Sequence, residues 1–223
     1  MTFDRRGSPI TAQSDAEIAS IDWFTARLAR IDRGAEAILE DAKSFPGSPM
    51  IQLGAASFCL FGQTAAADQA AAGYLAAAQP LLASATERER QLHRALTLWG
   101  RKDHLGSVAV LEDITRAWPR DLLAAKIAEF LYYVLGQQHE GERFRAHMAR
   151  LADANADDPD FLATYAFAQE LCGDVRPRGA PPSVRSRSSR ATRGRIIAWR
   201  ISICGGTNGT KACARSKASC RSG

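Results

Sequence analysis

Long apolar runs are missing from this 223-residue chain. Its alanine-rich stretch, residues 64–85, is interrupted by Asp68, Gln69, Gln79 and Pro80, and alanine is too weakly apolar to insert a helix into a bilayer, so no membrane-spanning segment is expected. The opening residues, MTFDRRGSPITAQSD, lack the apolar stretch of a signal peptide, which makes the cytoplasm the expected compartment. Period-two alternation of polar and apolar residues does not last beyond a few positions, which excludes a substantial sheet. Five cysteines are present and none forms a C-x-x-C pair. Cys59 and Cys172 fall in helical apolar patterns and read as small core residues, while Cys204, Cys213 and Cys220 lack the spacing of a zinc or disulfide framework. No nucleophile motif, P-loop or G-x-G-x-x-G occurs, and GGTNG at 205–209 has no strand before it. Neither a cofactor, a metal site nor an enzymatic activity is expected.

What remains is an ordinary apolar-to-charged balance, 46% hydrophobic and 24% charged, which suits a folded body with a core. The charge is unevenly placed. Residues 174–223 hold 12 Arg and Lys against the single acid Asp174, a net +11, so residues 1–173 carry −6 of the chain's overall +5. Such a split points to an acidic domain followed by a basic arm.

The body reads as helical throughout. Ser14 with Glu17 makes a capping box, followed by Ile18, Ile21, Phe24, Leu28 and Ile31 at helical spacing. A second segment carries Ala35, Ile38, Leu39, Ala42 and Phe45 on one face and stops at Pro46-Gly47. Ser48-Pro49 starts a helix running to Gly62, with Ser48 as N-cap and Pro49 in the first turn. An alanine-rich helix follows, and Thr86 with Glu89 forms another capping box whose helix ends at Trp99-Gly100. Val108, Leu111, Ile114 and Ala117 line the next helix, stopped by Pro119. Further helices are expected over 121–135, 138–153 and 159–172, leaving 1–13 as a flexible lead-in.

Glycines at 62, 100, 136 and 173 close successive first helices at intervals of 38, 36 and 37 residues, each preceded by Phe61, Trp99, Leu135 or Cys172. Glycine is favoured there because the left-handed conformation that ends a helix costs other residues about 1 kcal/mol. Two helices per unit of this length predict an all-α, tetratricopeptide-like solenoid of helical hairpins over residues 14–174. Within one unit, Ala95, Leu98, Ser107, Leu111, Ile114 and Pro119 occupy the small, apolar and proline positions of that repeat.

The segments ATERERQLHRALTLWGRKD, WPRDLLAAKIAEFLYYVLG and DPDFLATYAFAQELCGD resemble the tetratricopeptide repeat protein 38 family over residues 15–174. The resemblance implies a truncated stretch of a longer solenoid of degenerate repeats, and it carries no catalytic residues, because the matching motifs are structural. The family pattern continues with another amphipathic helix, whereas this chain turns to VRPRGAPPSVRSRSSRATRGR.

Read literally, residues 175–223 form a disordered basic tail suited to nucleic acid or another polyanion, although Trp199 is its sole aromatic residue and offers little stacking surface. The genetic code supplies a competing expectation. Reading each new codon from the third base of one residue through the first two of the next gives, from Pro177, ARxAERALALEPxDPW, with x left open. From Gly194 through Ser222 it gives THHCLAHLYMWRHERDEGLRALEGFLPVW. Both strings are amphipathic and continue the family pattern, so the tail is expected to be out of frame from about 174–176. The helix at 159–172 would then lack its partner and leave Phe161, Tyr165, Phe167 and Leu171 as an apolar patch.

Candidate chemistry is sparse. His139 and His147 are eight apart rather than four, and with His93 and His104 they read as solvated or capping residues. Asp157-Asp158 suits the dipole of a helix start, and Glu87, Arg88, Glu89 and Arg90 read as a solvated face. Trp99, Tyr132 and Tyr133 are the candidate partner-binding surface, with a core role as the competing reading. The expected function is a non-enzymatic scaffold that binds a protein or peptide; polyanion binding through the tail is the alternative.

Overall fold

The computed structural model describes residues 2–171, and within them the protein is almost entirely helical. A two-residue antiparallel ladder, β1 (Thr2–Phe3) with β2 (Pro9–Ile10), pairs Thr2 with Ile10 and Phe3 with Pro9. Nine helices follow: α1 (Asp15–Arg30), α2 (Ile38–Ser44), α3 (Pro49–Phe61), α4 (Ala65–Ala78), α5 (Glu87–Gly100), α6 (His104–Ala117), α7 (Leu122–Leu135), α8 (Gln137–Leu151) and α9 (Pro159–Leu171). Residues 172–223 lie outside the described residues. With them go the basic tail and its alternate-frame reading, Cys172, Gly173, the three tail cysteines and the glycine-rich stretch 205–209.

Local chemistry explains most helix starts. Thr64, Thr86, Asp103 and Asp121 each accept a backbone N–H of the first turn through the side chain. Thr86 and Glu89 complete a reciprocal box, whereas Glu17 turns its carboxylate to the backbone N–H of Gln13, one residue before the Ser14 cap. Ser48 sits at the N-cap of α3, but its hydroxyl makes no capping bond, and Pro49 alone marks the start.

Helix ends depart from the glycine expectation. Gly62 (φ −67°) is right-handed and Gly100 closes α5 as an ordinary helical residue; the left-handed positions are Gln63 (φ 50°) and Lys102 (φ 68°). After α5, Asp103 N–H reaches Leu98 O (3.0 Å) and Lys102 N–H reaches Trp99 O (2.8 Å), a Schellman closure two residues beyond the glycine. Gly136 (φ 102°) does use its conformational freedom. Most unusual is Ile31, whose φ of 56° is a genuine outlier for a β-branched side chain. It closes α1 through Asp32 N–H to Arg27 O and Ile31 N–H to Leu28 O.

From α3 onward each helix packs on the next, and α3 also meets α5, as α7 meets α9. The pairs α3–α4, α5–α6 and α7–α8 have short connections and form hairpins. Small residues set the spacing where helices approach: Ala95 and Ser107 are fully buried, and the Ser107 hydroxyl donates to Ala95 O at 2.9 Å. The arrangement is not a simple row. Every residue of α3 is buried, because α1, α2, α4 and α5 enclose it. A helix apolar all round belongs in such a position.

The N-terminal residues, expected to be flexible, are built into the body. Ile10 and Ser8 are 2% exposed. Asp4 pairs with Arg88 (3.3 Å), Arg6 with Asp158 (2.7 Å), and Thr11 donates to Glu89 through its backbone N–H (2.9 Å) and hydroxyl (2.7 Å). Arg88 and Glu89, expected to be solvated, are therefore 1% and 0% exposed; Glu87 and Arg90 do face solvent. The cause is tertiary: the terminal segment covers the start of α5. The apolar patch expected on α9 is covered only in part: Tyr165 and Leu171 stay partly exposed. The helix packs on both α1 and α8, and Phe161 and Phe167 are buried.

Candidate functional site

The three aromatic residues proposed as a surface separate cleanly. Trp99 is 2% exposed, its ring 5.1 Å from Phe61 in an edge contact and 5.6 Å from Phe130. It locks the ends of α3 and α5 to α7 and is core. Tyr132 is also 2% exposed, stacked on Phe144 at 5.2 Å with its hydroxyl donating to Glu112. Tyr133, next in sequence but about 100° further round the helix, is 51% exposed. Of the three, Tyr133 alone is available to a partner.

Tyr133 stands between two concavities. One has a volume of about 450 Å³ and is lined by Gln63, Tyr132, Tyr133, Val134, Gly141, Phe144 and Leu171. The other is a narrow apolar cleft where Leu28 and Ile31 of the α1 end meet Phe61, Phe130 and Phe167. The strained Ile31 turns into this cleft. So does a feature the sequence pattern did not flag, an ion pair on one face of α7. Lys126 donates to both oxygens of Glu129, at 2.9 and 2.8 Å, with the two residues 6% and 3% exposed. Buried pairs of this kind gain little net stability after desolvation, so this one shapes the polarity of the cleft floor rather than anchoring the fold. Its three-residue spacing on a helix is the only signal a sequence gives, and many surface pairs share it.

Behind Tyr132 lies a partly buried polar network. Arg143 grips Glu112 with Nε and Nη2 at 3.0 and 3.1 Å. Burial opposes ionisation of Glu112, but hydrogen bonds from Arg143 and Tyr132 outweigh it and hold the carboxyl below its usual range. Burial and the Glu112 carboxylate together push the Tyr132 hydroxyl far above the normal tyrosine range. Both groups are committed to structure.

His147 corrects the expectation of a solvated residue. It is fully buried, its Nε2 2.7 Å from the Thr115 hydroxyl and its Nδ1 without a hydrogen-bond partner among the described residues. Burial lowers its pKa from 6.5 to about 4; Glu112 pulls the other way, and Arg150, Arg143 and Arg116 add to the lowering. His139 is exposed, and His93 bonds Leu75 O at 3.2 Å. Below pH 6.5 the unfolded chain takes up a proton that folded His147 refuses. Its contribution to stability is therefore complete above pH 6.5, declines between pH 6.5 and about 4, and changes no further below that. The expected slope is up to about 1.4 kcal/mol per pH unit. Urea denaturation of wild type and His147→Gln at several pH values isolates it, and parallel pH profiles for the two proteins would refute it.

Asp158 acts as predicted for a helix start: its Oδ1 accepts from Asp160 N–H (2.9 Å) and Phe161 N–H (3.4 Å). Among the described residues no group of three or more His, Cys, Asp or Glu is placed to hold a metal ion, and no helix is long and apolar enough to cross a membrane. Cys59 is buried, which pushes its thiol up to about 11 and away from nucleophilic use. No known protein family, curated protein or solved structure matches the chain.

Proposed function

We propose that residues 14–171 form a tetratricopeptide-type scaffold that binds a protein or peptide, without catalysis, in the groove around Tyr133. The observation that carries this reading is a half-exposed tyrosine flanked by two concavities whose walls come from α7, α8, α9 and the ends of α1 and α3. Aromatic anchors beside apolar pockets are where partner side chains gain most binding energy. The titratable groups nearest the groove support a non-catalytic role, because Glu112, Tyr132, Lys126 and Glu129 are occupied by one another or by Arg143. The resemblance of residues 15–174 to the tetratricopeptide repeat protein 38 family, and a location in the cytoplasm, belong to the same reading.

The +11 charge of residues 174–223 favours a second reading, polyanion binding through the tail. One variant separates the two. Tyr133→Asp is expected to keep the thermal midpoint within about 2 °C of wild type, since substitutions at exposed positions cost little. It should lose the proteins that wild type retains in an affinity capture read by mass spectrometry, while binding to heparin stays unchanged. Retention of the same proteins by both would remove the groove from consideration.

A further inference from the structure

The face formed by the first helices of the hairpins is not empty: α1 lies across it. Instead of pairing only with its neighbours in sequence, α1 packs on α3, α7 and α9. Its apolar row Ile21, Phe24 and Leu28 is 2–3% exposed, and Gly54 on α3 lets the Phe24 ring approach to a distance a methyl group would crowd. This is how an amphipathic helix seats in a groove, with anchors at i, i+3 and i+7. The polar half of the contact is charge-matched. Arg30 in the last turn places Nε and Nη2 at 2.7 and 3.2 Å from Asp160, and Arg6 reaches Asp158 at 2.7 Å and Asp160 at 3.4 Å.

We propose that α1 is an intramolecular ligand of this face, and that the trans partner the face accepts is an amphipathic helix of the same kind, apolar at i, i+3 and i+7 with arginine in its last turn. The inference rests on the scaffold reading only for what the face is for. Two further observations support displacement of α1. The helix exits through Ile31 at φ 56°, where Ile31 and Asp32 N–H close its last turn on Leu28 O and Arg27 O, and then through Gly34 at φ 99°, whose conformational freedom makes it the hinge. Its latches at Asp158 and Asp160 are ionic, and the Arg30 side chain is 52% exposed.

The test uses the full chain. In Arg6→Glu/Arg30→Glu, backbone amides of α1 are expected to exchange hydrogen about tenfold or more faster, while α5 to α8 keep their protection, as in a sub-global opening. A fluorescent peptide with the sequence of residues 14–34 should then bind this variant saturably and wild type far more weakly, and the same peptide carrying Leu28→Asp should bind neither. Arg30→Gln, a milder change, carries the same expectation at smaller amplitude. Exchange of α1 in step with α5 to α8 in both variants, or global unfolding of both, would make α1 inseparable core and overturn the proposal. So would opening of α1 without peptide binding. Because no external partner enters this experiment, its failure leaves the Tyr133 capture result standing on its own.

Discussion

Replacing Arg88 with methionine is expected to destabilise the protein by about 3–5 kcal/mol, the cost of breaking a buried ion pair by removing one partner. Arg88 is 1% exposed, with Nε 2.6 Å from Asp121 and Nη1 3.3 Å from Asp4 and 3.4 Å from Pro9 O. Burial works against its charge, but Asp121 and Asp4 outweigh that and hold its pKa above the ordinary arginine value. Asp121 at the same time caps α7 by accepting Ala124 N–H at 3.0 Å. One guanidinium therefore ties the start of α5 to the cap of α7 and to the N-terminal segment, and methionine would leave two carboxylates facing each other in a dry site. Asp4, whose pKa burial already raises despite Arg88, should bind its proton more tightly still in the variant. The stability deficit measured by urea denaturation at pH 7 should then narrow toward pH 5, and Arg88→Met/Asp121→Asn should recover part of it, since Asn keeps the cap. A deficit below about 1 kcal/mol, the scale of a surface pair, would show that the site is wetter than its geometry implies.

Trp99→Ala should cost a similar amount, about 3–5 kcal/mol, for a different reason. Its indole packs against both Phe61 and Phe130, which also touch each other with ring centroids 4.7 Å apart, and it is 2% exposed. Interiors are packed too densely to collapse around a missing ring system. Tyr133→Ala, by contrast, truncates a half-exposed side chain and should cost little. Thermal denaturation of the two variants side by side separates a core residue from a surface one among the aromatics first grouped together. Comparable midpoints would mean that Trp99 is not the lock the ring contacts describe.

Helical spacing supports a core reading of Trp99 but does not rank it against Tyr133. Both lie at the end of a helix near a glycine, and only the packing of α3 on α5 and of α1 on α7 decides which is covered. His147 shows the same limit. In sequence it sits among Arg143, Arg145 and Arg150 and reads as solvated; in the folded protein α8 turns it onto Thr115 of α6. The left-handed closures fall at Gln63 and Lys102 rather than at Gly62 and Gly100 for a subtler reason. Glycine near a helix end marks the region, but the residue that adopts positive φ depends on how the last turn is hydrogen-bonded, as Lys102 after Gly100 illustrates.

What the amino-acid sequence determined by itself is the helical content and nearly every helix start, because caps, prolines and apolar periodicity act within four or five residues. Thr86 with Glu89, Pro49, Asp121 and Asp158 could all be read that way. What only the tertiary structure decided is how those helices are tied together: Arg88 with Asp4, Arg6 with Asp158, Arg30 with Asp160, and α1 across the face of α3, α7 and α9. The three ion pairs join residues about 80 to 150 positions apart. A charged residue in one helix carries no mark of the distant carboxylate that will bury it, so the same Arg88 reads as solvated from its neighbours and proves central once the chain has folded.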